Sequence, residues 1–222
     1  DRRRRIDRDA LSSILDFPRY MKVLVIGSGG REHALVWKIR QSPLVTRVYC
    51  APGSAAIGEL AEIIPIGAEQ IEDLADFASK EKIDLTVAGP ELPLTLGIAD
   101  RFDAGGLKIF GPNKAAAQLE GSKVFAKEIL AENKIPTASS QTFTHSGAAK
   151  RYVAQQKPPY VIKADGLAGG KGVIICQERA EAEWALDDLL VRRTFGSAGD
   201  KVIIEEFLEG EEVSFMVLSD GE

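Results

Sequence analysis

The spacing of apolar residues divides the first half of the chain into short strands and amphipathic helices. Residues 22–26 are almost all β-branched or aliphatic, a run typical of a strand buried on both faces. The other elements predicted here are a helix after residue 33, strands at residues 45–50, 83–88 and 107–110, and a helix at residues 71–80. Because strands alternate with helices, the chain is predicted to be an α/β protein whose residues 21–118 form an open, Rossmann-like parallel-sheet domain.

The second half of the chain has a different pattern. Residues 115–132 are predicted to form one long helix, most of it within a connecting segment at residues 119–142. Two apolar strands flank a glycine-rich turn, which indicates a hairpin. The predicted elements are strands at residues 160–163, 173–176, 202–205 and 212–218, with a helix at residues 181–192. This order predicts a small α+β lobe at residues 143–206, and residues 207–222 would begin a further lobe.

Composition narrows the possible functions. The 222 residues carry a formal net charge of −5, so bulk electrostatics gives no support to a nucleic-acid partner. Cys50 and Cys176 form no C-x-x-C pair, which argues against a disulfide framework or a zinc site and favours a reducing cytoplasm. No apolar run approaches the roughly 18 residues of a membrane span. Residues 1–20 mix arginines with aspartates, which disfavours a transit peptide, so we expect a non-native or disordered extension.

A glycine-rich loop follows the first predicted strand at residues 27–33. Its glycines, among them Gly29 and Gly30, would let a phosphate approach backbone N–H groups at a helix N-terminus. A dinucleotide-binding loop would have a third glycine where this chain has Glu32, and the acid that holds a ribose is missing after the second strand. A nicotinamide-dependent dehydrogenase is therefore disfavoured. The loop either binds another phosphate ligand or only allows tight packing of the helix on the sheet.

Charged residues beside this loop are candidate ligand contacts. Arg31 either holds a phosphate or is a solvated cation at the start of the helix. Gly89, Pro90 and Glu91 follow the strand at residues 83–88, and ligands bind at the carboxyl edge of open α/β sheets. Glu91 is therefore a candidate partner for the hydroxyls or the amine of a ligand, with a plain loop carboxylate as the alternative.

The second glycine-rich turn, at residues 166–172, is not a Walker loop, because Gly172 follows Lys171 where a Walker loop has Ser or Thr. A lysine that ends one strand, Lys163, precedes the turn and a second strand. This arrangement is typical of a flap over a polyphosphate, in which lysine supplies charge and the loop supplies N–H donors. The candidate phosphate ligands are Lys163, Gly166, Gly169, Gly170, Lys171 and Gly172. Lys171 is either a phosphate ligand or a solvated side chain.

An acidic segment after the strand at residues 202–205 supplies the rest of a possible nucleotide site. An apolar strand that runs into a connecting segment offers backbone groups to an adenine edge. A carboxylate seven residues after Glu205, that of Glu212, is suited to accept both ribose hydroxyls. The alternative is that this acidic cluster is a solvated turn.

Together these motifs resemble a known family. Residues 166–172 and 205–212 resemble the ATP-grasp fold. Three further motifs, at residues 27–35, 89–91 and 117–123, narrow the resemblance to the phosphoribosylamine–glycine ligase family. The resemblance covers nearly all of residues 21–222. It implies a substrate-binding α/β domain, then the small ATP-grasp flap lobe, then the start of the larger ATP-grasp lobe.

The resemblance also implies roles for individual residues. Lys123 and Lys163 would contact the ATP phosphates and stabilise their charge during catalysis, beneath the closing turn at residues 166–172. Glu205 would border the adenine, and Glu212 would hold the ribose. Glu206 and Leu208 would offer backbone groups to the adenine. The implied contacts of phosphoribosylamine are Gly29, Gly30, Arg31, Glu32, Gly89, Pro90 and Glu91.

The implied reaction has two steps. The carboxylate of glycine attacks the γ-phosphate of ATP and becomes glycyl phosphate, and the amine of phosphoribosylamine then displaces phosphate to give glycinamide ribonucleotide. Magnesium or manganese would assist, with its ligands expected downstream of Glu222. We therefore expect a truncated chain that is inactive alone, with small-molecule substrates and no nucleic-acid or membrane partner. The oligomeric state stays open, and a monomer is compatible with the sequence. Two alternatives also remain open: another ATP-grasp carboxylate–amine ligase and a non-catalytic nucleotide-binding module.

Overall fold

A computed structural model describes residues 20–217 of the chain, which separate into two compact units between Gly121 and Ser122. Each unit contains its own sheet. The extension predicted at residues 1–20 lies outside the described residues except for Tyr20. The last five residues of the chain also lie outside them.

The first unit contains a parallel sheet with the strand order β3-β2-β1-β4-β5. Its strands are β1 (Met21–Gly27), β2 (Val45–Pro52), β3 (Glu62–Ile63), β4 (Leu85–Ala88) and β5 (Ile109–Phe110). Its helices are α1 (Gly30–Ile39), α2 (Ala55–Gly58), α3 (Ile71–Glu81), α4 (Glu91–Leu96), α5 (Ile98–Ala104) and α6 (Lys114–Gly121). The predicted parallel sheet is confirmed, whereas the short elements α2, β3, α4 and α5 were not predicted.

Strand β1 is buried on both faces because its side chains alternate between two apolar clusters. Val23 and Val25 belong to the cluster on the side of α1. Leu24 and Ile26 belong to the cluster on the side of α3 and α5. Each fully buried aliphatic side chain contributes roughly 1.5–3 kcal/mol, which explains why the central strand carries an unbroken apolar run.

Glycine ends β1 and follows β4 because the buried side chain of Glu32 lies against both positions. Glu32 is 4% exposed, and a Cβ atom at Gly27 would lie 2.5 Å from its Cγ. A Cβ at Gly89 would lie 2.5 Å from the same atom and 2.7 Å from Cδ. Since β1 and β4 are neighbours in the sheet, the glycines leave between them the space that the Glu32 side chain fills.

The second unit contains an antiparallel sheet with the strand order β6-β9-β7-β8. Its strands are β6 (Ser140–Phe143), β7 (Tyr160–Ala164), β8 (Val173–Cys176) and β9 (Val202–Glu206). Its helices are α7 (Lys123–Glu132), α8 (Ser146–Val153) and α9 (Arg179–Leu190), with a 3-10 turn at Gly196–Gly199. The predicted hairpin is confirmed as the antiparallel pair of β7 and β8.

Two elements predicted for this half are wrong. The long helix expected at residues 115–132 is divided at Ser122, whose Oγ accepts a hydrogen bond of 3.1 Å from the N–H of Phe125 and so caps α7. The strand expected at residues 212–218 is not formed through residue 217, where the chain is irregular and exposed. A largely apolar segment of this kind needs a neighbouring strand before it becomes a strand itself.

The two faces of the second sheet have different surroundings. Tyr160, Ile162 and Ala164 of β7 point into the apolar core that α8 and α9 complete. Val161 and Lys163 alternate with them and therefore lie on the opposite face. On that face, Val173 and Ile175 of the edge strand β8 are 46% and 52% exposed. We call the surface formed by Val161, Lys163, Val173, Ile175, Ile203 and Glu205 the open face.

A buried polar atom in the first sheet leads to a prediction about the stability of the protein. Thr86 of β4 is 1% exposed, and its Oγ1 has no hydrogen-bond partner among residues 20–217. Because a buried hydroxyl without a partner is destabilising, we expect Thr86→Val to raise the free energy of unfolding by about 1 kcal/mol. Chemical denaturation measures this change. The matched control is Thr46→Val, which removes a hydrogen bond of 3.2 Å to the carbonyl of Met21 and should destabilise; loss of stability in both variants would contradict the interpretation.

The close packing of Glu32 against Gly89 leads to a second prediction about stability. Gly89→Ala forces its new Cβ against the Glu32 side chain, so we expect it to lower the free energy of unfolding by about 1–3 kcal/mol. Gly30→Ala is the matched control, because a Cβ there meets no atom within 4 Å. In a Glu32→Ala background the cost of Gly89→Ala should largely disappear. An equal cost in both backgrounds would show that Glu32 is not the obstacle.

Candidate functional site

In the first unit, the predicted site residues meet at the carboxyl ends of β1 and β4. Gly29 precedes α1, and Pro90 precedes α4, so each strand leads into a helix N-terminus. The carboxylate of Glu32 reaches back and accepts the N–H of Gly29 at 2.8 Å. The N–H of Gly29 is therefore already bonded within the loop. The other N–H groups at the N-terminus of α1 are the ones that a ligand would use.

Arg31 joins the two loops. Its Nε donates to Glu32 Oε1 at 2.8 Å, and its Nη1 donates to Glu91 Oε1 at 2.8 Å. The bond from Arg31 holds the pKa of Glu91 below its ordinary value, and the bonds to Glu91 and then Glu32 raise the pKa of Arg31 further. The guanidinium side chain is 53% exposed. The arrangement presents a permanent cation whose position is set by two carboxylates.

Cys50 lies behind this loop and is fully buried. Its Sγ is 3.4 Å from the carbonyl oxygen of Gly27. Burial and then the negative charge of Glu32 raise the pKa of Cys50 to about 11. The thiol is therefore protonated near neutral pH and is no nucleophile.

In the second unit, Lys163 and Glu205 form an ion pair on the open face. The Nζ of Lys163, on β7, donates to Glu205 Oε2, on β9, at 2.8 Å. The other carboxylate oxygen, Oε1, is 3.4 Å from the Nζ of Lys127. Glu205 is 7% exposed, so its charge is neutralised by lysines on two sides. Lys163, one of the predicted phosphate ligands, thus has a carboxylate partner in this structure.

Lys123 begins α7 and lies against the glycine-rich turn. Its Nζ is 3.2 Å from the carbonyl oxygen of Gly166. The carboxylate of Asp165 fixes this geometry, because its Oδ1 accepts both the hydroxyl of Ser122 and the N–H of Val124 at 2.9 Å. The structure therefore brings Lys123 to the turn through a capping contact from Asp165.

The turn at residues 166–172 has a fixed base and an open tip. Gly166 packs against Ala198, where a Cβ would lie 2.9 Å from the backbone. Gly172 accepts the N–H of Ala164 at 2.8 Å through its carbonyl. At the tip, Gly169 and Gly170 have φ angles of 57° and 78°, and a Cβ on either would meet no atom within 4 Å. Left-handed glycines at an uncrowded tip allow the backbone N–H groups and the exposed Lys171 to approach a ligand.

Not all of the predicted adenine and ribose contacts lie beside Lys123 and Lys163. The carboxylate of Glu206 bonds to the hydroxyl and N–H of Ser139 at 2.7 Å and 3.1 Å, and these bonds lower the pKa of Glu206. Its backbone is the part that the prediction assigns to adenine. Leu208 and Glu212 lie beyond β9 in an exposed irregular segment. The structure therefore leaves the ribose contact of Glu212 a prediction.

Two residues of this site were not singled out from the sequence. Lys127 lies one helical turn after Lys123, and side chains four residues apart share a helix face; that spacing was a usable signal. Asp165 directly follows the strand that carries Lys163, but its partners Ser122 and Val124 lie more than 40 positions earlier. Only the folded structure shows that contact.

Solved structures with a similar fold include a ligase and a synthase. A phosphoribosylamine–glycine ligase from Thermotoga maritima superposes with a TM-score of 0.66 at 30% identity, over 86% of this chain and 44% of that one. An N5-carboxyaminoimidazole synthase from Aspergillus clavatus, solved with ADP and an aminoimidazole ribonucleotide, superposes with a TM-score of 0.61 at 18% identity, over 85% and 47%. The second similarity shows the fold alone.

Sequence comparison is more specific. The phosphoribosylamine–glycine ligase of Escherichia coli K12 is 57% identical over 204 residues, which are 91% of this chain and 48% of the relative. The chain thus spans about half the length of the curated relatives it matches. Residues 21–120 match the profile "Phosphoribosylglycinamide synthetase, N domain", and residues 121–222 match the profile "Phosphoribosylglycinamide synthetase, ATP-grasp (A) domain". The chain therefore belongs to the phosphoribosylglycinamide synthetase family.

Proposed function

We propose that this chain supplies ATP-binding and substrate-binding parts of an enzyme that ligates glycine to 5-phosphoribosylamine. Glycine would be activated as glycyl phosphate, and the products would be glycinamide ribonucleotide, ADP and phosphate. The observation that carries the proposal is that Lys123 and Lys163 both lie at the start of the glycine-rich turn: Lys123 contacts the carbonyl of Gly166, and Lys163 lies on the strand that leads into the turn. The names of the relatives support the choice of substrates.

Charge complementarity supports ATP as the ligand of the second unit. Lys123, Lys127 and Lys163 bring three positive charges to a site whose two carboxylates, those of Asp165 and Glu205, supply two negative charges. The exposed Val173 and Ile175 give the open face an apolar part on which a base can lie. The ADP bound by the Aspergillus synthase, a protein with the same fold, is consistent with this assignment.

The residues act by positioning and charge neutralisation. Lys163 and Lys123 would draw negative charge from the γ-phosphate as the carboxylate of glycine attacks it. The turn would then exclude water from glycyl phosphate, which water would otherwise hydrolyse. In the first unit, Arg31 and Glu91 would hold phosphoribosylamine, and Glu91 would exchange its bond to Arg31 for a contact with the ligand.

A metal ion held by protein side chains alone needs several acidic, histidine or cysteine ligands close together. Among residues 20–217, no three acidic, histidine or cysteine side chains cluster so as to hold a metal ion. We therefore derive no step of the reaction through a metal from these residues.

We also propose a cytoplasmic location for the protein. The two cysteines are buried free thiols, which suits a reducing cytoplasm. No helix in the described part of the chain is long and apolar enough to cross a membrane.

The decisive assay measures ADP release by the protein expressed from its complete reading frame. We expect release to require ATP, glycine and freshly generated phosphoribosylamine together, because the amine traps the activated glycine. Release that is indifferent to glycine or to phosphoribosylamine would support the alternative of another ATP-grasp carboxylate–amine ligase. A protein that binds ATP without releasing ADP would support the non-catalytic module.

In the same assay, Lys163→Gln should lower kcat/KM for ATP by roughly 100-fold, because it removes a charge that stabilises the transferred phosphate. Lys150→Gln is the matched control, since Lys150 is paired with Asp187 at 2.6 Å between α8 and α9, on the opposite side of the sheet. The control should keep its activity. An equal effect of both substitutions would contradict the role of Lys163.

Asp165 gives a separate prediction. Asp165→Ala removes the acceptor of Ser122 and Val124, so we expect the free energy of unfolding to fall by about 1–3 kcal/mol. The KM for ATP should rise by about tenfold, because Lys123 loses its fixed position. Asp165→Asn keeps an acceptor oxygen and should recover most of both losses. Thermal unfolding and steady-state kinetics measure the two effects, and a normal KM in the alanine variant would separate Asp165 from nucleotide binding.

A further inference from the structure

The carboxylate of Glu205 has two lysine partners that are held in different ways. Lys127 donates to Thr137 Oγ1 and to the carbonyl oxygen of Ala138, each at 2.8 Å, besides its contact of 3.4 Å with Glu205. Within residues 20–217, Lys163 has the carboxylate of Glu205 as its one hydrogen-bond partner. Lys127 is therefore anchored, whereas a single contact retains Lys163.

The burial of these groups makes their charges interdependent. The side chain of Glu205 is 6% exposed, that of Lys127 is 17% exposed, and that of Lys163 is 26% exposed. Removing the partner of a buried carboxylate is strongly destabilising, because the charge is left without compensation. Lys163 is thus able to leave Glu205 for a ligand at low cost only if another cation stays beside that carboxylate.

We propose that Lys127 is a positioning residue that releases Lys163: it keeps Glu205 neutralised while Lys163 moves from the carboxylate to the phosphates of ATP. The proposal rests on the assignment of ATP to this site. It explains why two lysines converge on one carboxylate, when a single ion pair would neutralise it. Lys127 itself stays with the segment at residues 137–138.

The competing interpretation is that Lys127 only fastens α7 to the segment before β6. The two interpretations differ in whether the effect of replacing Lys127 depends on the negative charge of Glu205. If Lys127 only fastens the helix, its replacement weakens the protein whether or not residue 205 carries a charge. If Lys127 releases Lys163, its effect on ATP binding depends on the negative charge of Glu205.

The test is a double-mutant cycle in the protein expressed from its complete reading frame. Lys127→Gln keeps an N–H donor for Thr137 and Ala138 but removes the charge, and Glu205→Gln removes the carboxylate. The dissociation constant of a non-hydrolysable ATP analogue is measured by calorimetry for the four proteins, and kcat and KM for ATP are measured alongside. Lys127→Arg, which keeps a cation, and Lys150→Gln, which removes a lysine from another ion pair, are the controls.

We expect Lys127→Gln to weaken binding of the analogue by about tenfold or more, since Glu205 then retains Lys163. KM for ATP should rise with little change in kcat. In the Glu205→Gln background the same substitution should change the affinity by less than about twofold. Lys127→Arg should restore binding, and Lys150→Gln should leave it unchanged.

The outcomes separate this proposal from the one on which it rests. Equal effects of Lys127→Gln in both backgrounds, or no effect in either, would overturn the release of Lys163 while ATP binding stands. A wild-type protein that does not bind the analogue would overturn both. If Lys127→Gln alone does not fold, the Glu205→Gln background decides. A double variant that folds and binds the analogue as tightly as Glu205→Gln supports the proposal, because Lys127 is then needed only while Glu205 is charged, and a tenfold loss of affinity in the double variant contradicts it.

Discussion

The neutralisation of one buried carboxylate organises the second unit. Glu205 lies on a central strand with little exposure, and a charge in that position requires cations close by. One comes from the neighbouring strand as Lys163, and the other comes from α7 as Lys127. Because Lys127 belongs to α7, its contact with Glu205 holds this helix against the sheet. Asp165 then fixes the first turn of that helix, which places Lys123 at the glycine-rich turn.

The first unit uses a buried carboxylate in a comparable way. Glu32 fills the space left by Gly27 and Gly89 and bonds to both Gly29 and Arg31. In each unit a carboxylate therefore holds a cation at the end of a strand before any ligand arrives. Such pre-organisation lowers the cost of ordering the cation on binding, although an anionic ligand must compete with the carboxylate for it.

The sequence predicted the regular parts of this structure well, because an unbroken run of apolar residues directly indicates a buried strand. Strand β1 and the hairpin of β7 and β8 are the clearest cases. Strand β6 was not predicted, since its residues are mostly polar and exposed and only pairing with β9 makes them a strand. The division of the long helix at Ser122 was missed because the apolar spacing continues across it, although Gly-Ser is a sequence signal for a helix end followed by a cap.

Candidate site residues were predictable where a motif is contiguous, as in the turn at residues 166–172. Contacts between distant segments were not, and the roles of Lys127 and Asp165 depend on such contacts. The partner of Glu32 was equally hidden. The position of Glu32 in the loop disfavoured a nicotinamide-cofactor site, but the sequence alone does not reveal that its carboxylate accepts the N–H of Gly29.

The charge balance of the two sites argues for different ligand groups at each. The positive charges of Lys123, Lys127 and Lys163 exceed the negative charges of Asp165 and Glu205 by one, which favours a polyphosphate. Arg31, Glu32 and Glu91 sum to one negative charge, and Glu32 already occupies the N–H of Gly29. A phosphate at the first site therefore gains little from net charge and depends on the remaining N–H groups of the helix N-terminus. An amine or hydroxyl group suits the carboxylate of Glu91 better, which agrees with the proposal that this loop holds phosphoribosylamine.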